Sequence, residues 1–502
     1  MSSREKIIFF SVIALSVILR STAAFDDLPF IYHPDEPGYV RISQNMFRNL
    51  SPGTSFFNYP TLYFYINAAG YVPYYLAGLV TGDLSSREDV VSPETLEMGI
   101  SRTGQPSSII TGRVLSILFG TAAVFLLFHA ALELTGSAGA GLLAAGLMAV
   151  SPVNVMHSRF ITPDIYVTFF SVATLWGAVK VYKRGRLRDY LTAGACIGFT
   201  ASSKYNGILV ALFVVTAHLL RHKRRFFTAK GLYLSAVCAV AAFFITSPCI
   251  LLNFAEFKND MQFEAEHYSS GHPGMEGNTL LWYLSFMAGT AIAVYLLSLA
   301  EVVRAVFKRE PATILIASFP LVYFIFISSF IVRNDRTLLP ATPFFFLLAA
   351  LFITRLFSSG KTSGSKRLAV ISGCLAVVQP FAQTVKTTVE LLETDCRETA
   401  GNWIIENIPE GSRIALESYS PWVNPSVFDV QGVRKAIDNS PEWYRLNDFQ
   451  YLVLSREMYG RYLDDPDRYS EEAEDYEEIL AEFSSVAEFQ QNSGKVIILA
   501  VE

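Results

Sequence analysis

Charge is what this chain has least of. Only 17% of its 502 residues are Asp, Glu, Lys or Arg, against 51% hydrophobic, a balance too apolar for one ordinary soluble domain of this length. The net charge is -5 and the basic residues are scattered through short loops, so the basic face that a nucleic-acid reader needs is absent. There is no P-loop, and no GxGxxG follows a strand, so nothing argues for a nucleotide site. Cysteine is scarce too. The five (Cys196, Cys238, Cys249, Cys374, Cys396) are an odd set, four of them in apolar stretches, with no CxxC or metal spacing, and they read as packing residues. What is plentiful is aromatic: 39 Phe and 24 Tyr.

The apolar residues fall into runs of the length a membrane helix needs, about 20 residues. Spans are expected near residues 7–25, 111–132, 138–156, 164–182, 190–203, 205–220, 234–252, 279–299, 313–332, 338–357 and 368–389, roughly eleven in all. The first run follows Arg4 and Lys6 and is read as a span, although Ala23-Ala24 faintly resembles a signal-cleavage site. The basic loops 183–186, 221–225, 304–309 and 361–367 share one side only if the Tyr-, Asn-, Gly- and Pro-rich run 62–80 does not cross. That run is therefore expected to lie along the outer surface or re-enter. The parity places the N-terminus in the cytoplasm and residues 26–113, 157–163, 254–278, 333–336 and the tail outside.

From about Glu390 the composition turns charged. Short apolar runs at Arg413–Leu416, Tyr451–Leu454 and Lys495–Leu499 read as buried strands, and the acidic run Glu471–Glu478 reads as a solvated helix face. The expected fold class is a polytopic α-helical membrane protein, residues 1–389 including an outer loop 26–110 with non-spanning helices. A small extracytoplasmic α/β domain follows at 390–502.

Ionisable groups at a membrane boundary are costly, so the outer charges are the functional candidates. Asp35 and Glu36 lie side by side after the first span, either as a carboxylate pair with separated pKa values or as a helix cap and a first-turn acid. In His157–Asp164, Arg159 and Asp164 are candidates, with mutual pairing or capping as the plain alternative. Lys204, in a polar break opposite the basic loops, reads as an anion ligand. Arg333 and Arg336 read as a phosphate cradle or a surface pair with Asp335. Glu264, Glu266, His267 and His272 leave a divalent metal open, although their spacing matches no regular ligand pattern; no other cofactor is expected.

In order along the chain, Asp35-Glu36, Asn58-Tyr59-Pro60-Thr61-Leu62, Ser158–Asp164, Ser203-Lys204-Tyr205-Asn206-Gly207, Arg333–Pro340 and the α/β tail resemble the GT-C superfamily of membrane glycosyltransferases. The best match is to the protein O-mannosyltransferases and lipid A aminoarabinose transferases, glycosyltransferase family 39-like. One departure stands out: where the aminoarabinose transferases carry an acidic residue, Lys, Pro and Pro, this chain has Asn58-Tyr59-Pro60-Thr61. The resemblance implies a sugar donor carried on a polyprenyl phosphate and a protein, lipid or glycan acceptor.

On that reading Asp35 is the general base, with Glu36 beside it, and transfer inverts the anomeric carbon. Lys204, Arg333, Arg336 and Arg159 hold the donor phosphate, while Asp164, Asn58, Tyr59 and His267 position substrate. A transporter or flippase of a lipid-linked or anionic substrate is the rival; against it, the charges gather at one boundary and no inverted repeat is visible.

Overall fold

A computed structural model describes residues 1–95, 98–359, 362–492 and 494–502; Lys361, counted above in a basic loop, lies outside them. The chain forms two compact units, one of Met1–Ala24, Ile42–Arg87 and Ile110–Thr387, the other of Phe25–Arg41, Glu88–Ile109 and Thr388–Glu502. The second therefore joins two stretches of the 26–110 loop to the C-terminal tail.

The first unit is helical. Among the described residues, seven helices are long and apolar enough to cross a membrane: Pro106–Thr135, Asp164–Lys183, Tyr205–Arg225, Thr279–Lys308, Pro311–Ser328, Asp335–Ser358 and one within Ser363–Asn407. The other runs read as spans coincide with shorter or more polar helices: Ser3–Ser21, Ala138–Ala149 with Pro152–Met156, Leu187–Ser203, and Gly231–Thr246 with Cys249–Leu252. The run 62–80 is also helical, Leu62–Thr81.

Small residues set the closest crossings. On helix Leu187–Ser203, a Cβ added at Gly194 or Gly198 would come within 2.3 Å of the Ser235 carbonyl oxygen or 2.5 Å of that of Ala239. Glycine is what lets these two backbones touch, and close backbone packing drives association where lipid is as apolar as the helices.

Several buried polar groups are met internally, as a lipid environment demands. Arg20, fully buried, donates to Ser16 Oγ at 2.8 Å, to Ser158 Oγ at 3.1 Å and to the carbonyls of Met148 and Ala149 at 3.3 Å. Those carbonyls lie at the C-terminal end of helix Ala138–Ala149, where intrahelical donors run short. At another helix end, buried Glu301 pairs with Arg304 at 2.8 Å and with Arg355, and Glu310 bridges the same two guanidiniums.

Helix Thr279–Lys308 is broken at Ala291 (φ -162°, ψ 51°). Gln379, from helix Ser363–Leu392, fills the break: its amide oxygen accepts from Ile292 N–H at 3.0 Å, and its Nε2 donates to the carbonyls of Ala288 at 2.8 Å and Gly289 at 3.0 Å. A kink that would strand backbone groups is thus satisfied by one side chain.

The second unit is built on a sheet. A two-residue ribbon pairs β1 (Phe30–Ile31) antiparallel with β2 (Ser101–Arg102). The main sheet has β3 (Arg413–Glu417), β4 (Asp429–Val433), β5 (Tyr451–Ser455), β6 (Ser484–Gln491) and β7 (Gly494–Ala500) in the order β4-β3-β5-β7-β6. β4, β3 and β5 are parallel, while β7 and β6 are antiparallel additions.

Successive strand residues point to opposite faces, and both faces are covered. Ile414, Leu416, Val453, Val496 and Ile498 pack with helix Cys396–Asn407. Ala415, Leu452, Leu454, Ile497 and Leu499 pack with helices Arg456–Leu463 and Ser470–Glu482. Double coverage is why the three central strands are apolar without alternation. The acidic helix buries Ala473, Tyr476 and Ile479 and leaves most of its carboxylates exposed. All five cysteines are free.

One carboxylate is sealed in this unit. Glu417, at the end of β3, is fully buried and accepts from Ala436 N–H at 3.0 Å, Ser455 N–H at 3.1 Å and Tyr476 O–H at 2.5 Å. Burial outweighs these donors and pushes its pKa up to about 7. The unfolded chain, with an ordinary carboxyl, gives up that proton first, so stability is full below about pH 4.5 and falls as pH rises towards 7. The loss is on the order of 3 kcal/mol. Glu417→Gln is expected to flatten the pH dependence of the unfolding midpoint between pH 5 and 7; an unchanged slope would remove Glu417 as its source. Gln379→Leu is expected to lower thermal stability in detergent by about 1–3 kcal/mol, the cost of stranding buried polar groups; an unshifted melting temperature would mean the break is satisfied otherwise.

Candidate active site

A buried ion pair organises the first unit's polar end. Asp164 stands in the first turn of helix Asp164–Lys183. Lys204 ends helix Leu187–Ser203 in extended conformation (φ -157°, ψ 131°), just before the tight turn Tyr205–Val210. The turn is possible because residue 207 is glycine: a Cβ there would lie 2.6 Å from the Thr200 carbonyl oxygen. Lys204 Nζ lies 2.8 Å from Asp164 Oδ1, with side chains only 8% and 1% exposed. The second carboxylate oxygen, Oδ2, has no hydrogen-bond partner among the described residues.

Other charges surround the pair. Arg336 acts electrostatically on both of its members. Nζ lies 5.7 Å from the centre of the Tyr59 ring, and Tyr268 is also within electrostatic range. His157 Nε2 lies 3.2 Å from Asp335 Oδ2. Two tyrosines hold the Arg336 loop: Tyr323 O–H donates to the Thr337 carbonyl at 2.9 Å and accepts from Asn206 at 3.0 Å, and Tyr283 O–H donates to the Asn334 carbonyl at 3.2 Å. Lys204 and Arg336 beside one buried carboxylate favour an anion.

The segment 57–61 is stitched in from two sides. Asn58 Nδ2 donates to Glu264 at 2.5 Å, and Phe57 N–H donates to Asp260 at 2.7 Å, both on helix Phe254–Ser270. Thr61 O–H donates to the Thr246 carbonyl at 2.7 Å, and Tyr205 O–H to the Phe57 carbonyl at 2.9 Å. Asn58 and Tyr59 are thereby fixed near Lys204.

The remaining candidates are placed as follows. Arg159 does not pair with Asp164; it is buried and donates to the Leu19 carbonyl at 2.9 Å. Asp335 pairs with His157, and Arg336 also acts on it electrostatically. Arg333 approaches Gly277 so closely that a Cβ there would meet its Nη1 at 2.9 Å. His267 stacks on Phe263 and meets His272 edge-on at 5.8 Å between ring centres. Among the described residues no three His, Cys, Asp or Glu side chains group closely enough to hold a metal ion. Asp35 and Glu36 belong to the second unit. Glu36 is buried and opens a helix, and Asp35 N–H donates to His33 Nδ1 at 3.2 Å. His157 and Tyr268 lie within the stretches 157–164 and 264–272 without a role of their own in the sequence, and Asp260 and Tyr323 carry no sequence signal.

The membrane-helical body followed by a C-terminal sheet domain has the GT-C fold. The family model described as dolichyl-phosphate-mannose-protein mannosyltransferase matches residues 104–251. No curated protein sequence matches the chain. Solved structures with the same fold include ArnT from Cupriavidus metallidurans in the apo state, at a TM-score of 0.56 and 14% identity over 98% of this chain and 97% of that one. ArnT bound to undecaprenyl phosphate gives 0.53 and 16% over 100% and 99%. The oligosaccharyltransferase AglB from Archaeoglobus fulgidus, with an inhibitory peptide and a dolichol-phosphate, gives 0.54 and 13% over 98% and 75%.

Removing one partner of a buried ion pair leaves an uncompensated charge and costs about 3–5 kcal/mol, whereas replacing both by apolar groups is often neutral. Asp164→Leu is therefore expected to lower the melting temperature markedly, and Asp164→Leu with Lys204→Met to restore most of it. Additive losses in the double variant would show that the two side chains are not coupled.

Proposed function

We propose that this protein is an integral-membrane glycosyltransferase that moves a sugar from a polyprenyl-phosphate donor to a hydroxyl of a protein, lipid or glycan acceptor on the extracytoplasmic face. The observation that carries the reading is the buried Lys204–Asp164 pair beside Arg336 and Tyr59. The solved polyprenyl-phosphate complexes of proteins with this fold support it. On this reading the N-terminus is cytoplasmic and the C-terminal domain extracytoplasmic, as the basic loops favour.

The chemistry follows from charge. As the acceptor oxygen attacks the anomeric carbon, the bond to the donor phosphate breaks and negative charge grows on the departing lipid phosphate. Lys204 has three N–H groups, one of them directed to Asp164, so Asp164 fixes the ammonium while leaving it able to meet a phosphate. Lys204 and Arg336 stabilise that charge without reorganising, assisted by Arg333 and Arg159. Asp35 takes the acceptor's proton, with Glu36 supporting it. Attack opposite the leaving phosphate inverts the carbon. Asn58, Tyr59 and His267 position the substrates.

The test is transfer by the purified protein in lipid from a panel of radiolabelled polyprenyl-phosphate sugars to a membrane-extract acceptor. One donor is expected to support incorporation, with Asp35→Asn slower by about 100- to 10,000-fold and Lys204→Gln or Arg336→Gln by about 100-fold or more. Donor binding without transfer from any sugar, coupled to movement of labelled lipid across the bilayer, would replace this reading with transport.

A further inference from the structure

The second unit holds the Asp35 segment by a set of contacts that the chemistry above does not use. Tyr32, three residues before Asp35, donates its O–H to Glu398 at 3.0 Å. The Arg397 guanidinium lies 4.9 Å above the Tyr32 ring. That guanidinium is itself immobilised: it grips Asp395 through Nε at 2.8 Å and Nη2 at 2.7 Å, and Nη1 lies 3.5 Å from Glu457. Its side chain is 8% exposed. A bidentate guanidinium–carboxylate pair fixes both position and plane, so Arg397 offers Tyr32 a rigid surface.

The other end of the segment is held as well. β1, immediately before Tyr32, pairs with β2, and Phe30 and Arg102 of this ribbon flank Trp422 at 6.4 Å and 5.0 Å. The ribbon's approach is tied by backbone bonds, Ile100 N–H to the Ser420 carbonyl at 2.9 Å and Tyr419 N–H to the Met98 carbonyl at 2.8 Å. Beyond Tyr32, His33 Nδ1 accepts from Asp35 N–H. Three residues span at most about 11 Å, so the backbone of Asp35 stays within that reach of Tyr32, whose phenol is held on both sides. Burial and the Asp395 and Glu398 carboxylates push the Tyr32 pKa well above its ordinary value, which keeps the phenol a donor at neutral pH.

We propose that Tyr32, Arg397 and Glu398 are positioning residues for Asp35, so that the C-terminal domain sets the geometry of the base. The inference rests on Asp35 being the base. It explains why residues 25–41 and 88–109 form one compact unit with 388–502.

The experiment compares full-length Tyr32→Phe, Arg397→Lys and Asp35→Asn, singly and as Tyr32→Phe with Asp35→Asn, in the transfer assay. Tyr32→Phe keeps the ring and removes only the hydroxyl; Arg397→Lys keeps the charge and removes the planar face. A misplacement of about 1 Å costs on the order of 100-fold in rate. Each positioning variant is expected to lower kcat by about 10- to 100-fold with donor KM unchanged and the melting temperature kept. The double variant is expected to be no slower than Asp35→Asn alone. Tyr32→Phe and Arg397→Lys with wild-type kcat, while Asp35→Asn is inactive, would overturn the positioning role and leave the base in place. A further loss in the double variant, or a loss carried by KM alone, would also overturn it. Normal turnover by Asp35→Asn would end the base assignment and this inference with it.

Discussion

A lysine and an aspartate that face each other out of water organise the first unit. Neither charge could stay buried alone, since an isolated ion in a low-dielectric interior costs several kcal/mol after relaxation. The pair therefore fixes where two helices begin and end: Asp164 must open one and Lys204 must close another. The tight turn after Lys204, the glycine that permits it and the tyrosines that brace the Arg336 loop are all arranged around that requirement. An arrangement whose charges already face one another needs little reorganisation when a third, negative charge arrives.

The two units solve the burial of polar backbone differently. In the helical unit, spare carbonyls at helix ends and breaks are met by single long side chains, Arg20 in one place and Gln379 in another. In the sheet unit the ladder itself satisfies the backbone, and the exceptional buried group is a carboxylate, Glu417, capped by two N–H groups and a phenol. Both devices fix a unique arrangement, because a half-satisfied buried polar group is costly in either setting.

How much of this could be read beforehand depends on the range of each signal. Helices in the first unit were visible because apolar runs of span length are local, and β3, β5 and β7 were visible because two-sided burial leaves them continuously apolar. β4 and β6 were not: each is a sheet edge, Asp429–Val433 buries only Val433, and Ser484–Gln491 is largely exposed. At the candidate site, Lys204 and Asp164 were each singled out, but their pairing was not, since forty residues separate them. Arg159 had a nearby opposite charge in sequence, yet it donates to the Leu19 carbonyl, and Asp335 gains His157 as a further partner from far along the chain. Sequence proximity suggests ion pairs that a helix start then turns apart. The contact of Tyr32 with Glu398 joins residues 366 apart and leaves no local trace.

The break at Ala291 bears on how the protein is made. Helix Thr279–Lys308 emerges from the ribosome well before Gln379, whose amide completes it. Until the later helix arrives, Ile292 N–H and the two carbonyls before it have no partner in lipid, where each unsatisfied group costs several kcal/mol. The earlier helix is therefore inserted either straight or beside a translocation partner that stands in for the glutamine. Its final form is completed by a segment synthesised later, because Gln379 supplies the partners of the break.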